Sequence, residues 1–345
     1  MQLAIDQARL GLGSTSPNPA VGAVVVKNGF LLGKGYHKKA GLPHAEREAF
    51  ADVMANHGEQ ALCGATIFIT LEPCSTTGRT PACTSGIIEY GITHVVYGAT
   101  DPNPAHAGKA DRVLSEAGIT VTSGVLEEEC MELIRSFSKR ITQGIPWVIA
   151  KTAMSLDGKI TRPPAESQWL TSPESRMRVH QLRSEVDAII IGGETVRKDN
   201  PALTVRDVQT SEYHQQPYRV VLARDKSGLP VDSQIFTDAY ASRTKIFENV
   251  PLLHVLKSLA ELGCSSVMLE CGGGLMGQWF DQSLVDECYF FIAPILCGGD
   301  KLAVGGLGCE SNQSSIHLTN VQYETIGNDV LAVGCIQKDS EVPLQ

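Results

Sequence analysis

The feature that most constrains this chain is a break at Gly144-Ile145-Pro146. A helical period that starts near Glu127 must stop there, because proline lacks an N–H and clashes with the preceding turn. The apolar run at 147–150 then opens a new strand. On both sides of the break, strand-like and helix-like segments alternate, and each side has its own set of apolar strands. A chain of 345 residues is also too long for one ordinary core. Two domains are therefore expected, 1–145 and 146–345.

In the first half the periodicity predicts an opening helix (2–10), then strands 21–26 and Phe30–Tyr36 joined by the turn Lys27-Asn28-Gly29. A helix at 44–57, a strand at 65–70, a helix at 84–90 and a strand at 94–98 follow. Helix 110–117, strand 119–122 and helix Glu127–Gln143 complete the half. The order ββαβαβαβα is that of an αβα sandwich around one sheet. The second half predicts strands at 187–191, 219–223, 266–270 and 287–294, helices between its first four strands, and a closing antiparallel pair at 315–326 and 330–336. Segments 207–217 and 225–245 read as polar surface connections. Both halves are thus of the α/β class.

Hydrophobic residues make up 43% and charged residues 19%, the balance of a soluble globular protein. A net charge of −9 argues against nucleic acid as a partner, since phosphate-backbone binders carry a surplus of Lys and Arg. The chain has no run of about 18 apolar residues, and its start, MQLAIDQARLG, has no apolar signal core. A cytoplasmic protein without a membrane partner is expected. The 10 cysteines are scattered and form no disulfide framework, so most read as small buried apolar residues.

Cys74 and Cys83 stand apart by context. His44-Ala45-Glu46 opens one expected helix, Leu71-Glu72-Pro73-Cys74 follows a strand, and Cys83 opens the next helix. A zinc deaminase needs three protein ligands, an open position for water, and a carboxylate outside the ligand set that moves the proton. Either motif alone is common. Together and in order, they point to His44, Cys74 and Cys83 as metal ligands and to Glu46 as the proton carrier.

At these residues the chain resembles the bifunctional riboflavin-biosynthesis deaminase/reductase family. The Gly78-Arg79-Thr80-Pro81 loop carries the likeness, as do Pro17-Asn18-Pro19-Ala20-Val21-Gly22 and the stretch from Gly35 to Glu46. The resemblance implies a cytidine-deaminase-like first domain in which Asn18 bonds the pyrimidine and His37 and Arg79 lie near the ribose phosphate. One departure is that the family commonly has His after Pro-Cys-Ser, where this chain has Thr76 and Thr77.

The likeness continues through Lys151-Thr152-Ala153-Met154-Ser155-Leu156-Asp157-Gly158, Ser167-Gln168-Trp169 and the block from Gly192 to Arg206. It implies a dihydrofolate-reductase-like second domain that uses NADPH. Ser167, Arg183, Leu203, Arg206 and Glu270 would contact substrate, and Ala153, Trp169, Thr195 and Asp199 would line the cofactor site. Lys151 suits an electrostatic role near the sugar or a plain surface position. The Gly-rich turn Gly272-Gly273-Gly274-Leu275-Met276-Gly277-Gln278 follows a strand and opens a helix, where backbone N–H groups can meet a pyrophosphate. The family usually has Pro where Gly273 stands, which leaves this turn extra freedom.

The implied reactions are hydrolytic deamination of 2,5-diamino-6-ribosylamino-4(3H)-pyrimidinone 5′-phosphate and NADPH-dependent reduction of the ribosyl group to a ribityl chain. The small phosphorylated pyrimidine is the expected partner, along with a second copy of the chain joined through the reductase domain. Rival readings are an RNA-editing deaminase, which the charge opposes, and a binding module with structural zinc, which the unliganded Glu46 opposes. A third is an active deaminase whose second half only binds or dimerises.

Overall fold

The computed structural model describes residues 1–76, 81–104, 106–160, 169–309 and 315–337. The chain forms two compact units, Met1–Ile145 with Ser211–Gln215, and Pro146–Thr210 with Gln216–Gln345.

The first unit runs α1 (Gln2–Arg9), β1 (Gly22–Lys27), β2 (Phe30–Tyr36), α2 (Ala45–His57), β3 (Thr66–Leu71), α3 (Cys83–Glu89), β4 (His94–Ala99), α4 (Lys109–Glu116), β5 (Thr120–Thr122) and α5 (Glu127–Gln143). Its sheet has the order β2-β1-β3-β4-β5. β1 pairs antiparallel with β2 and β3, and β3, β4 and β5 are parallel. Asn28 and Gly29 both take positive φ (52° and 81°), as the tight turn between β1 and β2 requires. A Cβ at Gly35 would fall on the backbone nitrogen of Ala49, so α2 lies directly on β2. That contact sets how closely α2, which His44 precedes and whose first turn holds Glu46, lies against the sheet. α5 ends at Gly144 in the left-handed conformation (φ 72°), the stop expected from the sequence.

The second unit runs β6 (Trp147–Ser155), α6 (Pro173–Glu185), β7 (Ala188–Gly192), α7 (Gly193–Asp199), β8 (Tyr218–Ala223), α8 (Gln234–Thr237), β9 (Thr244–Glu248), α9 (Leu252–Glu261), β10 (Ser266–Leu269), α10 (Gly273–Asp281), β11 (Glu287–Ala293), β12 (Leu318–Ile326) and β13 (Asp329–Ile336). They build one sheet in the order β12-β13-β11-β6-β10-β7-β8-β9. The strands from β11 to β9 are parallel, and β13 and β12 close one edge antiparallel. β6 extends to Ser155 because β11 pairs with it as far as that residue, whereas β10 pairs only with Trp147 to Ala150.

α8 and β9 lie within or run into the stretch read as a surface connection. What holds them is Arg219, which is 1% exposed. Its Nη1 donates to Asp238 Oδ2 (2.6 Å) and Ala202 O (3.0 Å), and its Nη2 to Asp238 Oδ1 (2.8 Å) and Ile235 O (2.9 Å). Nε donates to Thr244 Oγ1 at 3.1 Å. Arg219→Ala should therefore destabilise the second unit by about 3 kcal/mol or more, because buried acceptors lose their partner. Calorimetry checks this, and an unchanged unfolding transition would show these bonds to be dispensable.

Candidate active sites

In the first unit three elements converge. His44 is the extended residue that precedes α2 (φ −71°, ψ 164°), Cys74 follows β3, and Cys83 is the first residue of α3. His44 Nδ1 lies 3.6 Å from Cys74 Sγ and 3.4 Å from Cys83 Sγ, and all three ligand atoms lie within 4.8 Å of one another. Tetrahedral zinc, with bonds of ~2.3 Å to sulfur and ~2.0 Å to nitrogen, separates S and N ligands by about 3.5 Å. The donor set and its spacing fit zinc. Cys83 N donates to Cys74 Sγ at 3.3 Å. Hydrogen bonds from Cys83 and His44 hold the Cys74 thiol low, while the bond to Cys74 and burial raise the Cys83 thiol. Glu46, 4% exposed, is outside the ligand set, and burial raises its carboxyl above the usual range.

His37 is 2% exposed, and both of its ring nitrogens are engaged. Nδ1 meets Pro43 O at 3.0 Å and must carry the proton, since a carbonyl only accepts. Nε2 then accepts from Asn18 Nδ2 at 3.0 Å. Burial lowers its pKa, which agrees with a neutral ring. His37 stands edge-on to His44 (centroids 5.4 Å apart) and fixes the amide of Asn18. Arg79 and Thr77 lie outside the described residues.

Glu72 carries weight that the sequence reading did not assign to it. At 5% exposure its Oε2 accepts from Asp101 N (3.2 Å) and Gly108 N (3.0 Å), and its Oε1 from Ala110 N (3.1 Å). A carboxylate two residues before Cys74 thus clips both ends of the loop between β4 and α4. A Glu in a strand-end tetrapeptide gives no sequence signal of such a distant partner.

In the second unit Glu270, just after β10, is enclosed by cations. Arg183 Nε and Nη2 donate to its two oxygens (2.6 and 3.0 Å), and Lys151 Nζ donates at 3.2 Å. Burial alone would raise its carboxyl, but the Arg183 and Lys151 charges hold it well below the usual range. Lys151 is therefore not a plain surface lysine. His180, on the same helix as Arg183, is 9% exposed, with no hydrogen-bond partner for Nδ1. Burial and the charges of Arg183 and Arg206 lower its pKa to about 4, leaving a neutral imidazole beside cations. The sequence reading missed it, because a lone His in a helix is more often a core residue.

Arg206 is exposed, next to Val205, whose N and O both bond the Gln216 amide (2.6 and 2.9 Å). Leu203, expected at the substrate, has its side chain in the core at 4% exposure. Its φ of 52° is costly for a leucine, so only its backbone is presented. Ala153 and Thr195 are half-buried, and Asp199 is exposed at the end of α7. Trp169 is 48% exposed, with Arg176 5.3 Å above its ring. Ser167 lies outside the described residues.

The glycines of the turn divide into two kinds. Gly272 and Gly274 are exposed, with open space where a Cβ would point. The helical ladder begins with Met276 N to Gly272 O (3.0 Å), so the N–H groups of Gly273, Gly274 and Leu275 precede it. This open helix start fits the phosphates of a dinucleotide. Gly273 is the other kind, and the expected extra freedom is not found. It is buried, its O accepts from Gly305 N at 2.9 Å, and any Cβ, proline's included, would fall on the carbonyl of Leu302. Met276 and Gly277 are buried as well. Met276 is 0% exposed, and Gly277 packs against the backbone of Gly305 and Gly306. Gln278 is exposed a turn further along.

Comparison with known proteins agrees with both halves. The family model for the cytidine and deoxycytidylate deaminase zinc-binding region matches residues 1–99, and that for the RibD C-terminal domain matches 146–332. The riboflavin biosynthesis protein RibD of Synechocystis sp. is 38% identical, over 97% of this chain and 95% of its own length. RibD of Acinetobacter baumannii superposes with a TM-score of 0.88 at 33% identity, covering 98% of each chain. A Thermotoga maritima structure described as a diaminohydroxyphosphoribosylaminopyrimidine deaminase/5-amino-6-(5-phosphoribosylamino)uracil reductase gives 0.87 at 34% identity, over 98% of this chain and 97% of that one. With both modules matched over nearly the full length, this chain belongs to the RibD family of bifunctional riboflavin-biosynthesis deaminase/reductases.

Proposed function

We propose that the first unit hydrolyses the 2-amino group of 2,5-diamino-6-ribosylamino-4(3H)-pyrimidinone 5′-phosphate and that the second reduces the ribosyl group of the product to ribityl. The observation that carries this reading is a three-ligand cluster of His44, Cys74 and Cys83 beside a buried carboxylate, Glu46, that is not one of the ligands. Zinc, when bound, supplies a water made acidic enough to act as nucleophile near neutral pH. Glu46 would carry two protons from the attacking water, the first to the ring nitrogen and the second to the departing amine, which leaves as ammonia. Its burial suits the task, because a carboxyl with a raised pKa both accepts and gives up a proton readily. Asn18, with its Nδ2 committed to His37, presents its carbonyl oxygen to an N–H of the pyrimidine.

In the second unit NADPH, when bound, supplies the hydride for the sugar C1′. Gly272, Gly274 and the first turn of α10 would hold its phosphates, with Trp169, Ala153, Thr195 and Asp199 along the cofactor. Glu270 and its cations form a rigid polar wall for the ribosyl chain, and Arg206, exposed on a braced backbone, anchors the substrate phosphate. Self-association through this unit suits β12, an exposed sheet edge that carries Val321 and Tyr323. No described helix is long and apolar enough to cross a membrane, and the charge of −9 gives no support to nucleic acid as a partner.

Three outcomes follow from these roles. Cys83→Ser should lose zinc by metal analysis, and full retention would remove Cys83 from the site. Glu46→Gln should lower ammonia release by at least about a hundredfold while keeping zinc and the NADPH oxidation seen with already deaminated substrate. An active Glu46→Gln enzyme would assign the proton to another group. Arg206→Ala should raise the reductase KM roughly tenfold or more with kcat kept, as loss of a charge-assisted contact predicts. An unchanged KM would place the phosphate elsewhere, and NADPH binding without turnover in the unaltered chain would leave the second unit a binding module.

A further inference from the structure

An imidazole stands against the turn after Cys74. His106 Nδ1 lies 3.3 Å from Thr76 Oγ1, in a contact between the Cys74 turn and the loop that follows β4. The position is built from below. Glu72 clips that loop at Asp101, Gly108 and Ala110, and His106 N donates to Asn103 O at 2.8 Å, closing a turn under the ring. The same acid precedes Cys74 by two residues, so one buried carboxylate sets both the metal-ligand turn and the loop that carries His106. His106 is half-exposed, and its Nε2 has no hydrogen-bond partner among the described residues.

We propose that His106, held through Nδ1 by Thr76, is a substrate-positioning residue of the deaminase site that binds the sugar-phosphate end of the substrate through Nε2–H. This rests on the deaminase reading above. The reacting ring must reach Glu46, which is 4% exposed, so the remainder of the substrate has to lead outward. Thr76 lies two residues beyond Cys74, on an exposed part of that turn, within roughly 7 Å of it along the chain. With its proton on Nε2, the ring accepts the Thr76 hydroxyl proton at Nδ1 and offers a phosphate one donor of the kind that anions select, the Nε2–H. The neighbouring acid, Asp101, has its Oδ1 engaged by Asn103 N at 2.8 Å.

The test uses the full zinc-loaded chain with the phosphorylated substrate and its dephosphorylated nucleoside. His106→Ala should raise the deamination KM for the phosphorylated substrate about tenfold, with kcat and zinc content kept, and leave the KM for the nucleoside unchanged. His106→Gln, which keeps a donor, should recover part of the loss. Equal effects on both substrates, or none on either, would overturn the proposal. A second measurement is independent of turnover. The His106 ring-proton NMR signal, identified as the one missing from His106→Ala, should move when ribose 5-phosphate is added to the unaltered chain. A signal that stays in place overturns the assignment, whereas a moving signal without ammonia release would retire the deaminase reading and keep the anion site.

Discussion

Glu72, buried, and Glu270, half-buried, occupy the same kind of place, one residue past the end of an inner strand, and each has both oxygens engaged. Burying an ionised carboxylate is expensive unless donors surround it, so whatever supplies those donors is held firmly in turn. At Glu72 the donors are backbone N–H groups, and the result is a shaped loop above the Cys74 turn. At Glu270 they are two cationic side chains from β6 and α6, and the result is a charged wall with little room to relax. The local geometry of both sites follows from how these two acids are satisfied.

The division of the chain was the most legible part of the sequence, because proline and glycine act locally and Gly144 does end α5. The converging His44, Cys74 and Cys83 were legible too, since each belongs to a short motif tied to a strand end or helix start. Arg219 was not. An arginine in a polar neighbourhood reads as surface, and only the fold shows that it gathers Asp238, Thr244 and two carbonyls, which is why α8 and β9 escaped notice. The burial of the Leu203 and Met276 side chains was illegible for a related reason. Neighbours in a motif point to different sides of their element, so a string of residues can carry a site while half of its side chains face the core. His37 shows the same limit in polar form, since only the position of Pro43 O reveals that its ring is already committed.

Gly273 and Gly277 sit one helical turn apart on the buried side of α10, where the backbone from Leu302 to Gly306 passes too close to admit any side chain. The constraint runs in both directions. A larger residue at either glycine is acceptable only if the passing strand of chain retreats, and that chain can keep its course only while both glycines remain. These two stretches, distant in sequence, are therefore bound to drift together over evolutionary time. A graft of the phosphate-facing turn into a homologue should carry the 302–306 segment with it, because either piece transplanted alone meets a partner shaped for something else.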